Sequence, residues 1–449
     1  MYLSAQGSNS VEQAAHSFLA TADVALPNAA ETNPAQLAAA ARWEAVLAAV
    51  PAEPQPATTA EQHQAVFMRT CALLALNRMK SAVVELGDAL DGDVAASDAP
   101  PSPPLPLPLL LLRAYTLDAS AATEGLQQEC TNLRQVSLAC WAVVDGGVCP
   151  AGVDSRAHES AAALSPQAAL AWGCKAALLC STLWMQAHQQ ACDELGTGAI
   201  VPNAAVLQRS AAAALYNALS RVWDGNLGQV QLQWQGEHAL AALTCAVAVA
   251  SSLVRVYLHC GQLQAAVAGQ QLLAQLERAA QAAGAADGDE TAAVLQLIRA
   301  SVLACDATVS LAQGNSAIAL AEAEEADTAA VAAGSQGLGT SQGTCALADG
   351  QALHTMAQHA VRSSCSCLCM AGSVLAGKAW AGMRAGNQLI ASNAPAHMGM
   401  SRAICSNVTT MYDLTSTKTD AQFAREVLTH VASKYQLAQV LQGGWIKTI

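Results

Sequence analysis

From ARWEAVLAAV at Ala41 onward, apolar side chains return again and again at helical spacing, and each run stops at a short cluster of Gly, Pro, Ser or Asp. The breaks are PAEPQPATT (51–59), DGDVAASDAPPSPPLP (91–106), DGGVCPAGVDS (145–155), GAADGDE (284–290) and GSQGLGTSQG (334–343). Between them lie stretches long enough for paired helices, and nothing alternates with the period of two that a half-buried strand needs. Alanine, the strongest helix former, supplies much of the 53% apolar content, and aromatics fall to 4%. The expectation is an all-α chain.

Helix pairs separated by short breaks point to a repeat architecture. The segment LVRVYLHCGQLQAAVAGQQLL places Leu253, Tyr257, Gly261 and Ala266 at the spacings of the tetratricopeptide pattern. There the tyrosine packs between paired helices, the glycine lets the turn adopt its backbone, and the small alanine permits a close helix crossing. The frame returns with Gly314, Ala319 and Ala326, with Asn77, Ala82 and Ala89, and with Gly377 and Gly382, Pro395 falling near that repeat's end. The turn positions 77, 261, 314 and 377 are unevenly spaced, so insertions separate some units. The fold predicted is an α-solenoid of tetratricopeptide-like helix-turn-helix repeats over 41–434. A flexible lead-in over 1–40 and a C-terminal tail over 435–449 are expected.

ICSNVTTMYDL, 404–414, contains Asn407-Val408-Thr409, an N-glycosylation acceptor pattern. It also fits the helical frame: with Tyr412 at the tyrosine position, Asn407 and Val408 fall where the motif takes a polar and a leucine-like residue. Ser416 then takes the turn and Ala421 the close-packing site. A terminal helix pair over about 402–434 is expected, with Val408, Met411 and Tyr412 on its inner face. Asn407 held in such a helix cannot carry a glycan.

SNVTTMYDLTS, Ser406 to Ser416, resembles the C-terminal signature of subunit 12 of the TRAPP (transport protein particle) complex. There an Asn, a hydrophobic residue, two Thr, Met, Tyr, an acid and Leu follow one another. WEAVL from Trp43, FMRTCALLALNRMKSAVVEL from Phe67 and LLLLRAYTL from Leu109 resemble earlier parts of that family, in the same order. The resemblance covers about 41–430. No match extends beyond Phe423, and the chain lacks the long polar N-terminal region of many animal members. It implies a helical-repeat scaffold subunit without an active site, bound to other large TRAPP subunits and reaching a Rab-type GTPase only indirectly through the complex. The implied setting is transport between endoplasmic reticulum and Golgi and autophagy, in the cytoplasm at the periphery of those membranes. The alternative from the residues is a generic tetratricopeptide adaptor or co-chaperone that holds a peptide in its concave groove, for which Lys80, Lys175 and Lys378 are isolated.

Other classes find less in the residues. The net charge is −13 and the basic residues are scattered, so no patch suits nucleic acid or anionic lipid. MYLSAQGSNSVEQAAHS has no targeting pattern, and PLPLPLLLLRAY from Pro104 is short and broken by prolines; no membrane insertion is expected. Fifteen cysteines, an odd number without framework spacing, suit reduced thiols. In CSCLC, Cys365 and Cys369 share a helix face while Cys367 points away, so the three do not converge on a metal. GSQGLGTSQG lacks phosphate-loop spacing, the ten histidines include no H-E-x-x-H, and AEAEEADTAA (321–330) reads as a solvated face. No catalytic, cofactor or metal site is predicted. Among the eight tryptophans, Trp445 is the expected exposed anchor and most of the others core.

Overall fold

The computed structural model describes residues 10, 43–50, 59–75, 78–91, 109–111, 123–146, 153, 155–195, 204–222, 237–284, 289–335, 364–392 and 402–434. Among the described residues there is no strand, and the protein is all-α. The helices are α1 Trp43–Ala49, α2 Thr59–Ala75, α3 Met79–Asp91, α4 Thr123–Val144, α5 Ser155–Ala162, α6 Pro166–Leu195, α7 Ala204–Leu219 and α8 Glu237–His259. They continue with α9 Leu263–Gly284, α10 Asp289–Ala312, α11 Ser316–Ser335, α12 Ser364–Leu375, α13 Ala379–Ser392, α14 Arg402–Thr415 and α15 Lys418–Lys434. Asn77, Pro395 and Trp445, named above, lie outside the described residues, as do the 1–40 lead-in apart from Ser10 and the 435–449 tail.

The chain divides into two compact units, a central one of residues 55–70 and 79–298 and a C-terminal one of 1–54, 71–78 and 299–449. In the central unit, α6 packs on α4, α7 and α8, while α8 also packs on α7 and α9. Small residues set these distances. Gly173 of α6 lies under the Trp141 ring of α4, where a Cβ would come within 2.7 Å of ring carbons, and the Ser137 hydroxyl donates to the Gly173 carbonyl at 3.3 Å. Gly269 of α9 sits likewise against Val254 of α8. Ser165 caps α6, accepting from the Ala168 N–H at 3.2 Å, with Pro166 preset in the first turn.

Helix α8 is apolar on nearly every side, and Ala242, Leu243, Ala246, Val247, Val249, Ala250, Leu253 and Val254 are buried. Helices α6, α7 and α9 cover most of its surface and leave one stripe, Ala241, Ala248 and Arg255, exposed. Its stretch Ala239–His259, with Pro166–Met185 and Thr291–Ala312, is long and apolar enough to cross a membrane by length and composition alone. These alanine-rich helices, and not the proline-broken run at 104–115, are the longest apolar elements described.

In the C-terminal unit the interfaces are finer still. Ala300 meets Ala329 and Ala330; Ala304 meets Ala326 and Cys365; Ala307 meets Leu320, Ala323 and Cys369. These contacts lay the part of α10 in this unit against α11, and both against α12. Alanine opposite alanine brings helix axes near the short end of the usual 8–10 Å range. Gly386 of α13 then lies against Val408 of α14 and Met370 of α12, and α14 packs on α15.

Candidate protein-interaction surface

Three helix ends share one hydrogen-bonded geometry. At Gly261, Gly314 and Gly377, φ is 70°, 82° and 72°, the left-handed region that favours glycine. In each, the glycine N–H donates to the carbonyl three residues back (Leu258, Leu311, Val374) at 3.0 Å. The next N–H, of Gln262, Asn315 or Lys378, donates to the carbonyl five back (Tyr257, Ser310, Ser373) at 2.8, 2.9 and 2.6 Å. This is the Schellman motif, which satisfies carbonyls the helix leaves open and turns the chain into the next helix. Arg78 makes the same five-back bond to Leu73 at 2.7 Å.

Five residues after each glycine stands a buried small residue: Ala266, Ala319 and Gly382. Ala82 and Ala421 are buried at the matching places after positions 77 and 416. At Gly382 a Cβ would lie 3.0 Å from the Met370 Cα and 3.0 Å from the Met411 Cε, so even an alanine there would need its neighbours to give by a few tenths of an ångström. The last turn differs in chemistry. Ser416 donates its N–H to the Tyr412 carbonyl at 3.0 Å, and α15 opens on a Thr417 hydroxyl that accepts from the Asp420 N–H at 3.2 Å and donates to the Asp420 carboxylate at 2.9 Å.

The first helix of that last pair carries the residues singled out above. Val408 and Tyr412 have no exposed surface and Met411 almost none. The Asn387 amide of α13 donates to the Tyr412 hydroxyl at 2.7 Å. Asn407 is partly buried, with its amide 3.8 Å from the Cys367 sulfur of α12. Cys365 and Cys369 are buried on the other side of that turn, and burial with the nearby Asp327 and Glu324 pushes the Cys369 thiol up to about 12. Burial alone pushes Cys405 up to about 12 as well. Such thiols stay protonated and serve as small apolar filling.

These contacts also fix the register between pairs. Thr415, one residue before its turn, reaches the Met383 sulfur at 3.7 Å, six residues after the preceding turn; Leu320, six after Gly314, lies against Gly372, five before Gly377. The turns at 314, 377 and 416 therefore lie on one edge of the C-terminal unit. Along that edge large apolar side chains face water: Ile318 (54% exposed), Leu375 (65%), Trp380 (50%) and Leu414 (63%). Leu375 and Leu414 occupy the same place, two residues before their turns. Lys378 and Lys418 stand exposed beside them. Of the carboxylates nearby, Asp413 pairs with Arg425 while remaining 44% exposed, and the buried Asp420 accepts from Thr417. Sequence reasoning missed this edge because each residue sits singly in its segment. Aligning the turns would have revealed it.

In the central unit, Leu253 and Ala266 are buried, whereas Tyr257 is only half-buried: its hydroxyl meets that of Tyr216 on α7 instead of closing inside the α8–α9 pair. Gln208, Arg209, Ala212, Val256, Tyr257, Cys260 and Gln262 line a half-open cavity of about 250 Å³ there. Burial and Tyr216 push the Tyr257 phenol upward, and burial pushes the Cys260 thiol upward, so neither is an activated nucleophile. Among the described residues no group of three or more His, Cys, Asp or Glu is placed to hold a metal.

No family model matches the chain, and no curated protein matches it.

Proposed function

We propose that the chain is a non-catalytic scaffold subunit, an α-solenoid of tetratricopeptide-like repeats that joins other proteins through its repeat surface. The observation that carries this reading is the recurrence of one device at Gly261, Gly314 and Gly377: a left-handed turn, two defined hydrogen bonds and a buried small residue five places on. Three different local sequences meeting the same requirement is what a repeat array demands, because each pair must present a face its neighbour can cover. The exposed apolar edge in the C-terminal unit supports a binding role, since such side chains on one edge mark a contact surface.

The setting rests on the resemblance of Ser406–Ser416 to subunit 12 of the TRAPP complex, whose inner residues Val408, Met411 and Tyr412 are those the fold buries. The reading is of an accessory subunit of that tether, cytoplasmic at ER and Golgi membranes, acting in ER-to-Golgi transport and autophagy with a Rab-type GTPase reached only through the complex. Affinity purification of the tagged full chain tests it. Co-migration with large TRAPP subunits under conditions that keep the core subunits assembled is the expected result. A chain that migrates apart from all of them overturns the TRAPP assignment.

A further inference from the structure

The turn edge of the C-terminal unit combines three features that need not coincide. Leu375, Trp380 and Leu414 are half or more exposed although they belong to helices whose other faces are well packed. Lys378 and Lys418 flank them, and neither forms an ion pair among the described residues. The acids at the same turns, Asp413 and Asp420, are already bound by Arg425 and Thr417. In a chain of net charge −13, this edge is locally basic and apolar. The acidic side chains Glu324 and Glu325 lie farther along α11, ten and eleven residues past Gly314, and Arg299 holds Glu325 at 2.6 Å.

The spacing selects the occupant. Helices α12 and α14 touch through Cys367 and Asn407, so their axes run about 8–10 Å apart, and Leu375 and Leu414 hold equivalent places on them. A partner helix rises about 10.5 Å over seven residues, so apolar anchors at positions i and i+7 match that interval. We propose that this edge docks an acidic amphipathic helix of a partner protein, its apolar side covering Leu375, Trp380 and Leu414 and its flanking carboxylates meeting Lys378 and Lys418. An anionic bilayer fits less well: two lysines attract such a surface only weakly, against repulsion from the rest of an acidic chain. A second copy would set lysine against lysine. The proposal deepens the scaffold reading by naming the chemistry of one partner.

The test uses the full chain and two synthetic labelled peptides of about sixteen residues with leucines at i, i+3 and i+7. One is flanked by glutamates, the other by lysines, and binding is read by fluorescence anisotropy. The expected result is saturable binding of the glutamate peptide alone, weakened at least tenfold by W380A/L414A and by K378E/K418E, with K378E/K418E now accepting the lysine peptide. Those side chains are exposed, so the variants keep the wild-type circular dichroism. Equal binding of both peptides, binding of neither, binding indifferent to both variants, tighter binding to phosphatidylserine vesicles, or a dimer dissolved by W380A/L414A each overturns the proposal. If the chain co-purifies with TRAPP subunits while the peptide assay fails, the docking edge falls and the scaffold reading stands. If the peptides behave as expected and no TRAPP subunit co-purifies, the docking edge stands and the TRAPP assignment falls.

Discussion

Asn387 and Tyr412 meet inside the C-terminal unit with no exposed surface on either, the amide of one donating to the hydroxyl of the other at 2.7 Å. The bond ties α13 to α14, two helices that pack against each other across the break between 392 and 402. The tyrosine has two separable roles, filling space and accepting this bond. Tyr412→Phe keeps the ring and takes the acceptor from Asn387, with an expected cost of about 1–3 kcal/mol. Tyr412→Ala also removes the ring, with an expected cost of about 3–5 kcal/mol. Urea unfolding of the three proteins measures both, and an alanine variant near wild-type stability would remove the packing role.

Three of the left-handed glycines give a prediction whose sign is set by backbone alone. A Cβ added at Gly261, Gly314 or Gly377 would meet nothing within 4 Å, so no packing term enters. Alanine at each should destabilise by about 1–2 kcal/mol, the cost of holding an L-residue in left-handed geometry. Asparagine, which tolerates that geometry, should cost less. Gly87 is the control: it lies within α3, has open space around it, and alanine there should stabilise by about 1 kcal/mol. Opposite signs in the unfolding midpoints of G314A and G87A are the expected outcome.

These same glycines explain what the sequence made legible. Gly261, Gly314 and Gly377 could be read as turns because only a few residues tolerate a positive φ, so a local constraint left a local mark. The burial of Val408, Met411 and Tyr412 was readable from helical period. Tyr257 obeyed the motif spacing and still diverted its hydroxyl to Tyr216, since the partner comes from α7, forty-one residues earlier. Trp380 was invisible as an edge residue for a related reason: its exposure depends on how two helix pairs stack, and an alanine-rich chain offers no contrast of residue type to show which face stays open.

A second packing prediction concerns Gly386. A Cβ there would stand 2.4 Å from the Val408 Cγ2 and 2.9 Å from the Met370 sulfur. The methionine can move, whereas the β-branched valine cannot rotate freely in a helix. Gly386→Ala should therefore destabilise by about 1–3 kcal/mol despite alanine's better helix propensity. Val408→Ala opens the space, so the double variant should lose less than the sum of the two single losses. A double-mutant cycle in urea reads that coupling directly, and strict additivity would deny the contact.

The last prediction follows from His259 at the end of α8, whose ring stands edge-on to that of His188 with centroids 5.4 Å apart, while the Gln208 amide lies 3.3 Å from the His188 Nε2. Burial, and then the neighbouring His188, hold the His259 pKa below its ordinary value near 6.5. Above that value the imidazole is neutral in both folded and unfolded chains, and it contributes nothing to the pH dependence. As pH falls through 6.5 the unfolded chain binds a proton that the folded chain refuses, so stability is lost until the lowered folded pKa is passed, and then levels off. His259→Gln removes this contribution while keeping a polar side chain of similar reach. The stability difference between H259Q and wild type should therefore shift toward H259Q between pH 7.5 and pH 5.5, read from urea midpoints in a common ionic strength. A difference that stays constant across that interval would show that His259 titrates alike in both states.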